Sequence, residues 1–367
     1  MSPLPPFRHA AVIRKFGPVS GLAIAAVPYP GALREGDLLV RSRASSVNPI
    51  EWKMRQGLGL PHWLWKLIMG HPPIPGIDFS GTVIQTGPGK ARYRVGDAVM
   101  GALPICGAHA TVIRVRGHDP KTAVTAKPPS IDDAEAGVVS FAGLVALAGL
   151  IGADGSRPLP EGARILVVGA SGGVGHLAMQ MARCLGASFV VGVCHSRNAD
   201  FVRECGADAV IAHDSITPGQ IVRHHPYWQN SFDLILDAVG IDTYWTEVAP
   251  VLLRPSGRFS SIALPQPREG SPGEDLPPFA AMRLLLKLWA RRLGGKYSIV
   301  TGLMGGLPTR QGMHFIAQWL SDGRLRPRIG ATFDLRELSD AHLLSQKGGV
   351  AGKIAIRMEH DELQPAA

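Results

Sequence analysis

A strand, a glycine-rich turn and a helix follow one another in RILVVGASGGVGHLAMQMARCLGA, residues 164–187. The apolar run at 165–168 predicts a buried strand, and the apolar periodicity after the glycines predicts an amphipathic helix. Glycines at such a turn remove the Cβ atoms that would keep a pyrophosphate away from the backbone amides at the helix N-terminus. The segment therefore predicts a dinucleotide-binding unit that uses Gly169, Ala170, Ser171, Gly172, Gly173, Val174 and Gly175. The alternative is a tight strand-to-helix turn that binds no ligand.

The rest of the sequence predicts two domains that differ in secondary structure. Strand-like and helix-like segments alternate over residues 130–306, which is typical of a doubly wound parallel sheet with helices on both faces. Residues 1–129 contain short β-like runs separated by Gly and Pro, which favours a mostly antiparallel, barrel-like domain. Because 307–367 ends in further strand-like runs, IGATFDL and GKIAIRM, we expect the chain to return to the first domain.

The segment VCHSRN, residues 193–198, bears on the choice of cofactor. In an NAD-binding unit an acidic residue about 20 positions after the glycines binds the adenosine ribose hydroxyls. No Asp or Glu occurs between Phe189 and Asn198, where the chain has Ser196 and Arg197. A carboxylate repels a 2′-phosphate, whereas a hydroxyl and a guanidinium bind it. The segment therefore favours NADPH over NADH; the alternative is a polar turn in which Ser196 caps the next helix.

Composition excludes some classes of protein. The net charge of +9 favours anionic partners without selecting among nucleotide phosphates, nucleic acid and acidic lipid. The four cysteines contain no C-x-x-C pair, so they indicate neither a disulfide framework nor a thiolate zinc site. No stretch reaches about 18 uncharged apolar residues and no signal-peptide core is visible, so we expect a cytoplasmic protein without a membrane-spanning helix.

Six motifs occur in one order along the chain: VNPIEWKMRQG, PGIDFSGTV, GASGGVG, VCHSRNADFVRECGADAVI, FDLILDAVG and GKIAIRM. Over residues 10–358 the chain resembles the medium-chain dehydrogenase/reductase superfamily, in its zinc-free branch of quinone oxidoreductases and enoyl or alkenal reductases. The resemblance implies an α/β protein with a partly barrel-like, GroES-like catalytic domain and an inserted Rossmann cofactor domain. It also implies an active site between the domains and, commonly, a homodimer.

The zinc alcohol dehydrogenases of the same superfamily have Cys, His and Cys at three catalytic positions. The matching positions here are Asn48, Ile77 and Phe141, none of which is a usual zinc ligand. The run of four cysteines that holds a structural zinc in those enzymes does not occur in this sequence either. We therefore expect no metal.

The resemblance places VNPIEWKMRQG beside the nicotinamide ribose, which makes Asn48 and Lys53 candidate catalytic residues. Asn48 also fits a helix N-cap, with Pro49 at the first helical position and Glu51 completing a capping box. That alternative explains the motif without catalysis, and Lys53 is then a solvated lysine.

Further site residues are implied by the resemblance alone. Val239, Ala263 and Lys353 match cofactor-binding positions, and Asp78 matches the substrate pocket. His213 replaces the family's usual Tyr, and it either contacts the adenosine phosphate end or is a surface histidine.

Two apolar stretches allow more than one interpretation. In LPHWLWKLIMGHPPIP, residues 60–75, Trp63 and Trp65 either line a large substrate pocket or pack on the barrel. In FAAMRLLLKLWARRLGGKY, residues 279–297, apolar positions that include Leu286, Trp289 and Leu293 alternate with a basic stripe. We expect this helix to pack its apolar face on the sheet; the alternative is peripheral contact with an anionic membrane.

These features predict an NADPH-dependent, zinc-independent oxidoreductase that reduces quinones or the C=C bond of α,β-unsaturated carbonyls. Hydride delivery from a cofactor needs mainly positioning and one donor to the carbonyl oxygen, which agrees with a sequence in which no paired acids or nucleophile stand out. The expected substrate is a small-molecule, apolar carbonyl or quinone, and the bulky apolar loop at 60–75 indicates a large one. The alternatives are a trans-acting enoyl reductase on acyl or polyketide thioesters and a non-catalytic NADPH-binding protein with an RNA or protein partner, although we expect no nucleic acid.

Overall fold

The computed structural model describes residues 6–57, 62–90, 92–152, 154–264, 278–300 and 309–358, with side chains for all of these except 278–285 and 309. The chain divides into two units. The first consists of residues 1–142, 309–323 and 327–367, and the second of 143–308 and 324–326. The second unit is thus inserted in the first, and the first boundary between them lies inside a helix and later than residue 129.

The elements of the described residues are these, in chain order. The strands are β1 (Arg8–Ile13), β2 (Leu22–Val27), β3 (Leu38–Val47), β4 (Asp78–Thr86), β5 (Ala98–Ala102), β6 (Val112–Val115), β7 (Ala123–Ala126), β8 (Arg164–Val168), β9 (Phe189–Cys194), β10 (Ala209–Ala212), β11 (Phe232–Asp237), β12 (Leu253–Ser261), β13 (Tyr297–Ile299), β14 (Ile329–Asp334) and β15 (Lys353–Arg357). The helices are α1 (Pro49–Gln56), α2 (His62–Met69), α3 (Asp133–Ile151), α4 (Gly175–Cys184), α5 (Ala199–Glu204), α6 (Pro218–His224), α7 (Ala249–Leu252), α8 (Pro278–Leu293), α9 (Thr309–Ser321) and α10 (Leu338–Lys347).

The first unit is built on a seven-stranded sheet with the order β14-β15-β3-β4-β5-β7, in which β6 also pairs with β3. All of its pairs are antiparallel except β14 with β15. Two strands from the end of the chain thus extend a sheet that the first 126 residues begin. This pairing brings β15 beside β3.

The second unit contains a six-stranded sheet with the order β10-β9-β8-β11-β12-β13, and every pair in it is parallel. Numbered within the unit, this order is 3-2-1-4-5-6, which is that of dinucleotide-binding Rossmann domains. The three central strands β8, β9 and β11 are almost fully buried and mostly apolar, as expected for a parallel sheet covered by helices on both faces. The predicted fold class is confirmed.

Helix α3 passes from one unit to the other and is apolar all round. It is the one helix of the described residues that is long and apolar enough to cross a membrane by length and composition, although none was expected from the sequence. In this structure 78% of its apolar window is buried. A buried helix of this kind is typical of a protein core.

Candidate functional site

The glycine-rich turn lies at the carboxyl end of β8, next to the point where strand order reverses between β8 and β11. Gly169 has φ of +76°, a left-handed conformation that favours glycine. A Cβ there would lie 2.6 Å from Cγ2 of Val239, so the turn packs directly on the residue that follows β11. Open parallel sheets bind ligands at this reversal point, so the predicted phosphate loop lies where a dinucleotide would be expected to bind.

Close backbone packing fixes the entry into α4. A Cβ on Gly175 would lie 2.1 Å from the Gly169 carbonyl oxygen and 2.8 Å from Cα of Ala170. The first turn of α4 contains no acidic residue. The partial positive charge of the helix N-terminus is thus not offset by an acidic side chain in that turn and can attract the two phosphates of a dinucleotide. These residues fit a dinucleotide.

Val239 and Ala263 lie at the same edge of the sheet. The Asp237 carboxylate at the end of β11 accepts hydrogen bonds from the backbone amides of Val239 (2.9 Å) and Gly240 (2.8 Å). Burial raises the pKa of Asp237 to about 6, although these hydrogen bonds favour its charged form. Ser261 Oγ donates to the Ala263 carbonyl at 2.7 Å, which holds the neighbouring turn. The structure therefore brings both predicted cofactor residues to the edge that carries the glycine loop.

The turn after β9 contains the predicted ribose-binding residues and an acid that sequence reasoning missed. Ser196 donates to Asp214 through its hydroxyl (2.6 Å) and its backbone amide (2.7 Å). These two bonds lower the pKa of Asp214 to about 2, so it is a carboxylate at neutral pH. Asp214 follows β10 and lies 18 positions after Ser196, outside the stretch between Phe189 and Asn198 in which an acidic residue is expected.

Other contacts join this turn to the glycine loop. Asn198 donates an amide hydrogen bond to Ser171 Oγ at 3.2 Å, and the rings of His195 and His213 meet edge-to-face at 5.8 Å. Arg197 is exposed on the same turn. The residues predicted to bind the adenosine end of the cofactor are thus neighbours, but the Asp214 carboxylate lies among them.

In the first unit a buried polar cluster joins the ends of three strands. Asp78 begins β4, Lys353 begins β15, and Asn48 follows β3, so antiparallel pairing puts all three at one edge of the sheet. Lys353 Nζ donates to Asn48 Oδ1 at 2.5 Å and lies 3.7 Å from Asp78 Oδ2. Asp78 also accepts hydrogen bonds from Ser46 Oγ (2.6 Å) and from the amide of Phe141 (2.6 Å). A buried charge needs such partners.

Asn48 occupies the N-cap position of α1, and Pro49 follows at the first helical position, as predicted. Its side chain, however, makes no capping hydrogen bond. Nδ2 donates instead to Asp78 (2.8 Å) and to Glu51 Oε1 (3.0 Å), while Oδ1 accepts from Lys353. The capping interpretation of its side chain is therefore wrong. Because Asn48 is 3% exposed and both ends of its amide are engaged, it holds the strand-to-helix junction.

Glu51 lies deeper in the same cluster with two buried histidines. Burial raises the pKa of Glu51 to about 8, and it lowers the pKa of His109 to about 4 and that of His342 to about 2. Burial also lowers the pKa of Lys353, although Asp78 and Glu51 act in the opposite direction. Burial thus favours the uncharged forms of Glu51, His109 and His342.

A ligand atom from each of Glu51, His109 and His342 lies within 4.8 Å of the other two, so these residues form a candidate metal group. The hydrogen bond of His342 argues against a metal there. His109 donates through Nε2 to the Ser46 carbonyl at 3.1 Å and keeps a lone pair on Nδ1, but Arg55 Nε donates to His342 Nδ1 at 3.4 Å. In neutral His342 the other nitrogen, Nε2, then carries the hydrogen and has no lone pair for a metal. The group does not fit zinc without rearrangement, and Asn48, Ile77 and Phe141 do not fit it at the catalytic positions of zinc alcohol dehydrogenases.

Three other predicted residues, Lys53, Trp65 and Trp63, have different surroundings. Lys53 is half-buried, its Nζ lies 5.5 Å from the centre of the Trp52 ring, and burial lowers its pKa. Trp65 packs in a buried cluster with Ile13, Phe16, Met54 and Met69, which is the packing alternative rather than a pocket wall. Trp63 is 68% exposed on α2.

Two family models match two parts of this chain. Residues 34–149 match the model described as an alcohol dehydrogenase GroES-like domain, and residues 205–356 match one described as a zinc-binding dehydrogenase. The "Quinone-oxidoreductase homolog, chloroplastic" of Spinacia oleracea is 30% identical over 338 residues, which cover 90% of this chain and 92% of that protein. The chain belongs to the medium-chain dehydrogenase/reductase superfamily.

Two further relatives place this superfamily member in a branch. The trans-enoyl reductase pgmF of Aspergillus terreus is 27% identical over 88% of this chain and 86% of its own length. The solved quinone oxidoreductase of Coxiella burnetii is 26% identical, with a TM-score of 0.75 over 96% of this chain and 100% of that one. The chain is therefore an oxidoreductase of the quinone oxidoreductase and enoyl reductase branch, as the resemblance implied.

Proposed function

We propose that the chain is an NADPH-dependent, zinc-independent reductase of quinones or of the C=C bond of α,β-unsaturated carbonyls. The observation that carries the proposal is the glycine turn of residues 169–175, seated at the reversal point of a 3-2-1-4-5-6 parallel sheet. The zinc alcohol dehydrogenase positions, occupied by Asn48, Ile77 and Phe141, favour a reaction that does not use a zinc-bound oxygen.

In this proposal the second unit binds the cofactor. The amides of the glycine turn bind the pyrophosphate, Val239 and Ala263 border the same edge, and Arg197 binds the 2′-phosphate. Bound NADPH supplies the hydride.

On the substrate side, hydride arrives at the electron-poor carbon and negative charge develops on the carbonyl oxygen. Lys53 is the proposed donor to that oxygen, because a lysine whose pKa is lowered by burial gives up a proton more readily. Asn48, Asp78 and Lys353 act as positioning residues, since their mutual hydrogen bonds fix the junction of β3 and α1 from which Lys53 extends.

Initial rates of NADPH oxidation with quinones, short alkenals and enoyl thioesters test this function. We expect turnover with quinones or alkenals, because the Spinacia and Coxiella relatives are named as a quinone oxidoreductase homologue and a quinone oxidoreductase. Turnover confined to enoyl thioesters would favour the second candidate, a trans-acting enoyl reductase, which the pgmF relative supports. No oxidation with any acceptor, together with salt-sensitive RNA binding, would contradict both and favour the non-catalytic alternative.

The choice of cofactor gives a separate prediction. Replacing Arg197 with Ala is expected to weaken NADPH binding by about 1–3 kcal/mol and to leave NADH binding nearly unchanged, because a charge-assisted bond to the 2′-phosphate is lost. Asp214→Asn is expected to act in the opposite direction, since it removes a carboxylate bonded to Ser196. Titration of both cofactors measures the ratio of their affinities.

Arg203→Ala is the matched control, because Arg203 lies on α5 close in sequence and pairs with Asp200 at 2.7 Å. It should change neither affinity. Equal losses for NADPH and NADH in Arg197→Ala would contradict the assignment of NADPH.

A further inference from the structure

Helix α8 faces solvent with apolar side chains. Leu286, Trp289 and Leu293 are 57%, 63% and 69% exposed. Their spacing of three and four residues puts them on one face, which we call the α8 stripe. This face was expected to pack on the sheet, and for these three residues that expectation is wrong.

The contacts on the buried side of α8 explain why its apolar residues are exposed. Leu288 is buried, and the Arg291 guanidinium pairs with Asp242 at 2.6 Å and lies over the rings of Tyr297 (5.4 Å) and Trp245 (5.9 Å). Lys287 pairs with the same Asp242 at 2.7 Å. Arg291 thus attaches the helix to the second unit, and the three apolar side chains of the α8 stripe remain exposed to solvent.

The α8 stripe has a strongly cationic border. Residues 278–296 contain five Lys or Arg and no Asp or Glu. Of these cations, Arg292 and Lys296 are exposed beside the stripe. An exposed apolar face with aromatic and aliphatic residues and basic flanks is the pattern of helices that lie in a membrane interface.

We propose that the α8 stripe binds the surface of an anionic lipid bilayer, with Leu286, Trp289 and Leu293 between the headgroups and Arg292 and Lys296 against lipid phosphates. Charge complementarity selects this occupant over a second copy. A twofold contact through the stripe would bring the same cations of two chains together, whereas anionic lipid neutralises them. The inference does not depend on which substrate the enzyme reduces.

Co-sedimentation of the full-length protein with lipid vesicles tests the proposal. We expect binding to vesicles in which about a third of the lipid is phosphatidylglycerol, and weak binding to pure phosphatidylcholine. The triple variant Leu286→Ser, Trp289→Ser, Leu293→Ser should lower the partition coefficient about tenfold or more, because the apolar contribution is lost. Arg292→Glu with Lys296→Glu should lower it by a similar factor, and only on anionic vesicles.

The matched control is Trp63→Ser with Leu67→Ser, which removes two exposed apolar side chains from α2 and should leave binding unchanged. Quenching by brominated lipid gives an independent readout: Trp289→Phe should lose the quenched fluorescence and Trp63→Phe should keep it. Equal binding of the triple variant and the unmutated protein, or equal binding to both kinds of vesicle, overturns the proposal. A triple variant that changes the sedimentation coefficient of the free protein without changing vesicle binding also overturns it, in favour of a second copy.

Discussion

Replacing Lys353 with Met is expected to lower the free energy of unfolding by about 3–5 kcal/mol, the usual cost of removing one partner from a buried ion pair. Lys353 is 4% exposed and Asp78 is fully buried, so the substitution would leave the Asp78 carboxyl group buried without a cation beside it. Asn48 Oδ1 would also lose its donor. Because this amide holds the start of α1, we expect reductase activity to fall with stability. Denaturant unfolding and initial rates measure the two effects.

Arg357→Met provides the matched control on the same strand. Arg357 pairs with Asp334 at 2.9 Å, but its side chain is 59% exposed, and an exposed pair contributes about 0–1 kcal/mol. Adding Asp78→Asn to Lys353→Met should recover part of the loss, since no unpaired charge then remains buried. If Lys353→Met costs no more than Arg357→Met, the buried cluster does not have the role described.

Gly175→Ala should destabilise the second unit and weaken cofactor binding. The added methyl would lie 2.1 Å from the Gly169 carbonyl oxygen, so the glycine turn or α4 must move. Forced movement in a packed region costs about 1–3 kcal/mol, and loss of two or three amide contacts to a pyrophosphate weakens affinity by about 100-fold. Thermal unfolding and cofactor titration are the two measurements.

Gly172→Ala in the same turn is the control for stability. Its methyl would meet only the Gly169 carbonyl oxygen, at 3.3 Å, which a small adjustment relieves. We expect its unfolding midpoint to stay close to that of the unmutated protein. A Gly175→Ala protein that is as stable as Gly172→Ala and binds cofactor normally would show that the close packing seen at Gly175 is unimportant.

The phosphate loop was the most predictable part of the site because its signal is local. A strand, a glycine turn and a helix are adjacent in sequence, and glycine is required where the backbone leaves no room for a Cβ, as at Gly175. Val239 and Ala263 came from the resemblance, and the ends of parallel strands brought them to the same edge.

The buried cluster was only partly predictable. Asn48, Asp78 and Lys353 were named separately, for three different roles, and their common location depends on the pairing of β15 with β3 across 305 positions. His109 and His342 were not named at all, because an isolated histidine in a sequence gives no sign of its surroundings. Asp214 was missed for a similar reason: it reaches Ser196 from a neighbouring strand.

The sequence by itself determined the periodicities, the glycine turn and hence the two-unit architecture, since these depend on interactions between residues close along the chain. Only the tertiary structure decided which charged groups are buried together and that the Asn48 side chain bonds to Asp78 and Lys353 instead of capping α1. It also decided that α8 packs through Arg291 with its apolar stripe exposed. The physical reason is that burial and pairing of charges depend on strand order and register, which bring together side chains hundreds of positions apart.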